Sequence, residues 1–434
     1  MEKKNLTPSR RRFIKTTGST ILGSTLGFNI LANTNPYTFN SDTLKVGLIG
    51  CGGRGTGAAN QAMNADPNVV LTAMADVFED RLNTSYNALM QENPEKLKVA
   101  DDHKFIGFDA YKKLLESDVD VVLLATPPAF RPAHLEAAVA AGKHIFCEKP
   151  VAVDAPGIRR VLKVAKQAKE KNLALMSGFC WRYDFPKRAT YERVLDGAIG
   201  DVMTVYNTYN TGELWFRDRK DDWNDMEYTM RNWLYYNWLS GDHIVEQAIH
   251  SLDLMSWAMG DELPVSATGT GGRQSRTDKK YGNVYDHFAI TYEYANGARG
   301  FHFSRQQKGC SRAYGIDMYG TKGRCEIDVW KKHQITAGDS KWRYKGEENN
   351  MYQTEHDELF ASIRKGEPFN DGTRMANSTM LAIWGRMVAY TGQTITWEDA
   401  LNSEEVLGPK VDEYSWQLDW PLKEVAQPGI TKFA

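Results

Sequence analysis

Apolar residues fall along this chain in two rhythms. "LKVGLI" (44–49), "VVLTAMAD" (69–76), "VDVVLLA" (119–125), "HIFC" (144–147) and "LALMS" (173–177) are short, near-continuous apolar runs. Such runs mark strands covered on both faces. Between them, "AHLEAAVAAGK" and "IRRVLKVAKQAKEK" place an apolar residue every three or four positions, the stripe of a helix packed on one side. Strand and helix alternate, so residues 41–178 are expected to form a doubly wound parallel α/β sheet.

After residue 179 the rhythm changes. "GDVMTVYNTY", "VYDHFAITYEYANGARGFHFSRQ" and "YGIDMYGTKGRCEID" are longer and alternate in polarity. They predict a second domain, 179–434, of α+β type with a large open, mostly antiparallel sheet. "NGARG" marks a hairpin turn, and "DELFASIRKGEP" and "MLAIWGRMVAYTG" supply helices near the end. Between the first of these strands and the next helix lies "GELWFRDRKDDWNDMEYTMRNWLYYNWLSGDH", an insert without a clear period. Loops of this length inside a compact domain usually carry function. Aromatic rings crowd it among Arg217, Arg219 and Arg231. Flat rings suit the apolar faces of sugars and charged groups suit their hydroxyls, so Arg231 and Trp233 are candidate substrate contacts.

Composition narrows the classes. A net charge of -2 gives no electrostatic footprint for nucleic acid. No apolar run is long enough to be a stable membrane span. Cys51, Cys147, Cys180, Cys310 and Cys325 form no paired short spacing, which reads as buried thiols rather than a zinc site or disulfide framework. The opening "SRRRFIKTTGSTILGS" combines adjacent arginines, Phe13, a branched apolar residue and Lys15 with a weakly apolar run to Ala32. That pattern is the address of the twin-arginine translocation machinery, so residues 1–40 are expected to be a signal and linker, and the protein periplasmic or otherwise exported.

The candidate chemistry lies at the strand ends. Gly50, Gly52 and Gly55 follow the first strand and open a helix, with Gly53 and Arg54 inside the turn. Such glycines permit a tight turn and let the backbone approach a pyrophosphate at a helix N-terminus. Asp76 closes the second strand, where a carboxylate accepts from both ribose hydroxyls and repels a 2′-phosphate. This favours NAD over NADP, while Arg81, five residues on, is the residue that keeps NADP open. Thr126 and Pro127 end the next strand, and Glu148 and Lys149 the one after it. In the second half, "GDHIVEQAIHSLDLMSW" sets Glu246 and His250 four apart, on one face of an expected helix. A carboxylate there orients the imidazole or shares a proton with substrate. His243, Glu246 and His250 do not make a convincing metal set, and none is expected. Arg182 and Tyr183 follow the last strand of the first half as further substrate candidates; His134 reads as structural or cofactor-adjacent.

"GCGGRG", "ATPP", "GKHIFCEKP" and "SGFCWRYD", in that order, resemble the oxidoreductase family of glucose–fructose oxidoreductase, inositol dehydrogenase and MocA. The resemblance runs to about residue 410. It implies that Glu148, Lys149 and Pro150 match the family's Glu-Lys-Pro motif, whose lysine touches nicotinamide ribose and substrate hydroxyl. It implies that His250 is the acid/base, with Glu246 standing where the family places Asp, and that one sheet face forms a dimer or tetramer interface. The glycine loop and leader also resemble the NAD-dependent α-N-acetylgalactosaminidases, which oxidise, eliminate, hydrate and reduce on one bound cofactor. An exported nicotinamide enzyme has no free NAD pool outside the cytoplasm. A retained cofactor and a closed redox cycle on a carbohydrate are therefore expected, with residues 33–43 as a possible cover. A sugar-binding protein holding NAD without catalysis is disfavoured by the coexistence of Lys149, Glu246 and His250.

Overall fold

The computed structural model describes residues 42–434. The twin-arginine leader and most of the segment 33–43 lie outside the described residues; Asp42 and Thr43, the end of that segment, are exposed.

The first sheet has six strands in the order β3 (Lys104–Ile106), β2 (Val69–Asp76), β1 (Leu44–Ile49), β4 (Val121–Leu124), β5 (His144–Cys147) and β6 (Leu175–Ser177). All of its pairings are parallel. Strand β4 is buried at all four positions, as its unbroken apolar run requires when helices cover both faces. The helix Ala155–Glu170 buries Ile158, Val161, Val164, Ala165 and Ala168, the three-and-four stripe of its sequence. It starts at Asp154, whose Oδ1 accepts the Gly157 N–H at 2.9 Å. Order reverses between β1 and β4, which opens a crevice beyond their carboxyl ends.

The second sheet has nine strands: β14 (Ser340–Arg343), β13 (Lys332–Ala337), β12 (Arg324–Asp328), β11 (Ala313–Gly320), β7 (Val202–Thr211), β10 (Arg299–Gln306), β9 (His287–Glu293), β8 (Ser266–Gly272) and β15 (Ile395–Thr396). The expected hairpin joins β9 to β10, antiparallel from Arg299↔Glu293 to Arg305↔His287. One pairing, β7 with β10, is parallel, so the sheet is mixed and mostly antiparallel. Strands β9 and β10 alternate buried and half-buried residues along their length, as a sheet with one packed face demands.

The helix Gly372–Thr391 lies between the halves, packing on the helix Ala155–Glu170 and on β8. It is buried nearly all round, so polarity inside it must be paired. Arg386, fully buried, donates to the carbonyls of Val153 at 2.6 Å and Gly241 at 3.4 Å and faces Glu405 at 3.4 Å. Four cysteines are buried and free, as expected; Cys310 is free but exposed, because it sits in the loop between β10 and β11 rather than within a strand.

Several histidines are shut inside this core. Burial pushes His134 and His302 down to about 3 and His144 and His333 down to about 4, from an ordinary 6.5. They stay neutral when folded, whereas the unfolded chain takes up protons below pH 6.5. Stability therefore falls as pH drops from about 6.5 toward 4. Thermal melts across that window should show a steadily falling midpoint, and a flat profile would mean that these rings are not closed off from solvent.

Candidate active site

The turn after β1 has the shape its glycines suggested. Gly50 sits at φ +99°, a conformation glycine adopts freely, and a Cβ there would lie 2.6 Å from the Thr126 amide nitrogen. A Cβ on Gly55 would lie 1.9 Å from the Gly50 carbonyl oxygen, so the helix Gly53–Ala65 can approach the strand only without one. Gly52 and Gly53 differ: nothing stands within 4 Å of a Cβ on either. Gly52 occupies the N-cap and brings no capping side chain, so the first amides of the helix are left for an anion.

This turn is the floor of a cavity of about 440 Å³, within the range of small-molecule sites. Arg54, Asp76, Thr126 and Pro127 line it, as expected of cofactor contacts. Asp76 is held rigidly: its Oδ2 accepts the Cys51 N–H at 2.6 Å and its Oδ1 the Phe78 N–H at 2.9 Å. His134 also lines the cavity, its Nδ1 3.3 Å from Thr126 Oγ1 and its ring stacked on Tyr111 at 4.2 Å. These features fit a dinucleotide: open space over two glycines, uncapped amides and a fixed carboxylate at the ribose position. Glu148, expected among the cofactor contacts, is instead buried beside the floor. Its Oε1 pairs with Arg54 Nε at 3.0 Å, and it packs so closely on Gly178 that a Cβ there would meet Oε2 at 2.6 Å.

Lys149 points the other way. Its Nζ donates to the main-chain carbonyl of Glu246 at 2.6 Å and faces Glu246 Oε1 at 3.2 Å. The expectation of one continuous helix carrying Glu246 and His250 is corrected here. One short helix, His243–Glu246, ends at Gln247, and another, Ile249–Ala258, begins. The His250 N–H turns to the Gln247 carbonyl at 3.4 Å instead of closing the i to i−4 bond. The break frees the Glu246 carbonyl to receive Lys149. His250 stacks on Trp181 at 4.9 Å and meets Phe179 edge-on at 6.2 Å. Burial, then the charges of Lys149 and Lys187, hold its imidazole well below 6.5. It is a neutral ring, and its buried Nδ1 has no partner among the described residues.

The other substrate candidates lie elsewhere. Arg182 is buried against two carboxylates, with Nε at 2.8 Å from Asp253 Oδ2 and Nη2 at 2.6 Å from Asp261 Oδ1. Its charge is spent on the core, which also makes Asp253 structural. Tyr183 is buried, with Arg188 over its ring at 4.8 Å and no partner for its hydroxyl among the described residues. Arg231 and Trp233 line the cavity that contains Asp76, not the ground around Lys149 and His250. The insert folds back over the first sheet because Arg231 reaches Asp80 at 3.0 and 3.1 Å and lies over the Phe78 ring at 4.0 Å. Phe78, Phe108 and Arg217 complete that cavity. Phe78 lies two residues past Asp76, whereas no sequence signal tied Phe108 and Arg217 to the cavity, since both are remote from the glycine turn until the chain folds.

Comparison with known proteins agrees with this geometry. Residues 44–179 match the oxidoreductase family, NAD-binding Rossmann fold, of the Gfo/Idh/MocA group, and residues 188–326 match its C-terminal domain. The chain belongs to the Gfo/Idh/MocA oxidoreductase family. Among relatives, inositol 2-dehydrogenase of Rhizobium meliloti is 27% identical over 344 residues, 76% of this chain and 93% of that protein. The 2,7-anhydro-N-acetylneuraminate hydratase of Escherichia coli is 25% identical over 296 residues, 68% of this chain and 69% of that protein. Among solved structures, aldose-aldose oxidoreductase from Caulobacter crescentus shares the fold, with a TM-score of 0.65 and 21% identity over 82% of this chain and 99% of that one. This Gfo/Idh/MocA member is thus an enzyme with an NAD-binding Rossmann domain. Among the described residues no helix is long and apolar enough to cross a membrane.

The glycines separate stability from binding. Gly55→Ala should destabilise the fold by about 1–3 kcal/mol through overpacking. Gly52→Ala should leave the melting temperature unchanged and weaken dinucleotide binding, measured by calorimetric titration. Equal effects of the two on stability would contradict the open cradle.

Proposed function

We propose that this protein oxidises a CH–OH group of a sugar or polyol with NAD. The observation that carries the reading is Lys149, fixed by Glu246 at the carboxyl end of the sheet beside a neutral His250. Bound NAD would accept the two electrons and the hydrogen leaving the carbon. The hydroxyl proton must leave as well, and Lys149 Nζ is the group held in place to relay it, taking it up as one of its own protons passes to the Glu246 carboxylate at 3.2 Å, with His250 as the second acid/base. Glu246 acts through Lys149: its carbonyl and carboxylate hold the ammonium group in position. The likeness to inositol 2-dehydrogenase supports the substrate class. Asp76, locked by two amides, supports NAD over NADP.

A second reading has its own support. The likeness to a 2,7-anhydro-N-acetylneuraminate hydratase, with a neutral imidazole in the site, suits a redox-neutral cycle in which a transient ketone acidifies the neighbouring C–H, His250 removes that proton and a glycosidic group leaves. Water is then added and the ketone reduced on the same cofactor. Export through the twin-arginine route with the cofactor already bound belongs to either reading. Exposed Tyr206 and Tyr319 on the outer face of the second sheet suit a homo-oligomer.

Purified protein should be offered polyols, free sugars and aryl glycosides without added NAD, following both reduced-nicotinamide absorbance and aglycone release. Absorbance that grows and stays is the result expected of a dehydrogenase; aglycone release without it favours the redox-neutral cycle; neither signal, with NAD bound, would sink both. Lys149→Ala and His250→Ala should each retain NAD and lose about a hundredfold or more in turnover. Asp76→Ala should raise the affinity for NADP relative to NAD.

A further inference from the structure

The aromatic insert was expected to meet sugar, yet the structure lays it over the nucleotide cavity. Trp215, Arg217, Met230, Arg231 and Trp233 form one wall of the cavity that the glycine turn also lines. Arg217 is the unusual member of that wall. Its backbone is pinned in both directions by buried Asn232: the Arg217 N–H donates to Asn232 Oδ1 at 2.9 Å, and Asn232 Nδ2 donates to the Arg217 carbonyl at 3.0 Å. Its guanidinium, in contrast, has no carboxylate partner among the described residues. It lies over the Trp215 ring at 5.4 Å, and its Nε is buried and unbonded. Arg219, two residues on and facing solvent, pairs with Asp225, and Arg231 with Asp80 and Glu227. A half-buried guanidinium that lines a cavity without a carboxylate pair of its own is suited to an anion entering that cavity.

The wall is also fastened down. Arg231 spans from the insert to Asp80 in the helix Glu79–Glu92. Behind it the C-terminal segment adds a second band: Trp416 packs on Phe78 at 5.4 Å and on Phe108 at 4.8 Å, and Tyr414 on Phe130 at 4.7 Å. The Arg231–Asp80 bonds tie this wall to the half of the chain that carries the glycine turn.

We infer that the insert is a clasp for the cofactor, in which Arg217 grips a phosphate group of the dinucleotide and Arg231 latches the clasp to the Rossmann half, so that the nucleotide is retained as a prosthetic group. The inference rests on the dinucleotide reading above and deepens it: retention comes from the second domain of the same chain. No bond is made or broken; the clasp acts on the rate at which the nucleotide escapes. Two phosphates share this chemistry, the pyrophosphate common to NAD and NADP and the 2′-phosphate present only in NADP.

The test compares the wild type with Arg217→Met, Arg217→Lys, Arg231→Met and, as a surface control, Arg219→Met, each checked by thermal melting. Nucleotide carried through purification is released by denaturation and quantified. Escape is followed as loss of reduced-nicotinamide fluorescence when protein loaded with NADH or NADPH is chased with excess oxidised nucleotide. The expected result is nucleotide that survives dialysis in the wild type and the control, and escape about tenfold or more faster in Arg217→Met and Arg231→Met, as for loss of a charged hydrogen bond. Arg217→Lys should restore part of the retention. Acceleration with both nucleotides places Arg217 on the pyrophosphate; acceleration with NADPH alone places it on the 2′-phosphate. Wild-type escape rates in a folded Arg217→Met and Arg231→Met overturn the clasp while leaving the dinucleotide reading intact. A wild type that binds neither nucleotide overturns the dinucleotide reading itself.

Discussion

The site depends on one contact, the ammonium of Lys149 on the main-chain carbonyl of Glu246 at 2.6 Å. It joins the end of β5 to the second half of the chain where the helical path breaks. An ammonium this enclosed, with 14% of its side chain exposed, would cost several kcal/mol without a partner. Helices ordinarily consume their carbonyls, so the partner exists only because the helix ends at Glu246 and restarts at Ile249. Its principal acceptor is backbone, which no substitution at position 246 can remove. The Glu246 carboxylate at 3.2 Å adds charge to a position already set by the chain path.

Around that contact the two halves divide the work. The Rossmann half supplies the glycine turn, where backbone comes close and amides are left uncapped, together with Arg54, Phe78 and Phe108. The second half adds the rings and guanidinium groups of the insert. Trp181 and His250 stand beside Lys149, while the insert crosses to the opposite end of the nucleotide cavity. Aromatic density in this chain therefore falls in two separate places, one around His250 and one lining the cavity of the glycine turn, and proximity in sequence does not tell them apart.

The first sheet was legible because parallel strands buried on both faces leave unbroken apolar runs, and because the glycine turn answers to local constraints: Gly50 needs its φ and Gly55 its missing Cβ. The hairpin between β9 and β10 was legible for a similar reason, being set by four or five residues. What could not be read was contact across distance. Arg182 and Tyr183 looked like substrate contacts at a strand end, but Asp253 and Asp261, far along the chain, pair with Arg182 in the core. Arg231 and Trp233 looked like sugar contacts until Asp80 and Phe78 were found beneath the insert. The period of three and four that put Glu246 and His250 on one helix was sound as a pattern, yet the competing demand of Lys149 for a carbonyl accompanies a break in that helix. Short elements such as β3 and β15 carry too few residues to show any period.

Glu148 and Lys149 are adjacent and face opposite ways, as successive side chains of an extended chain do. One turns to Arg54 and the glycine cradle, the other to Glu246 and the neighbourhood of His250. A single dipeptide thus keeps the cradle and the acid/base in phase, like two hands on one shaft. Adding or removing one residue would exchange the faces, bringing an ammonium to Arg54 and a carboxylate to the Glu246 carbonyl, two repulsions in place of two attractions.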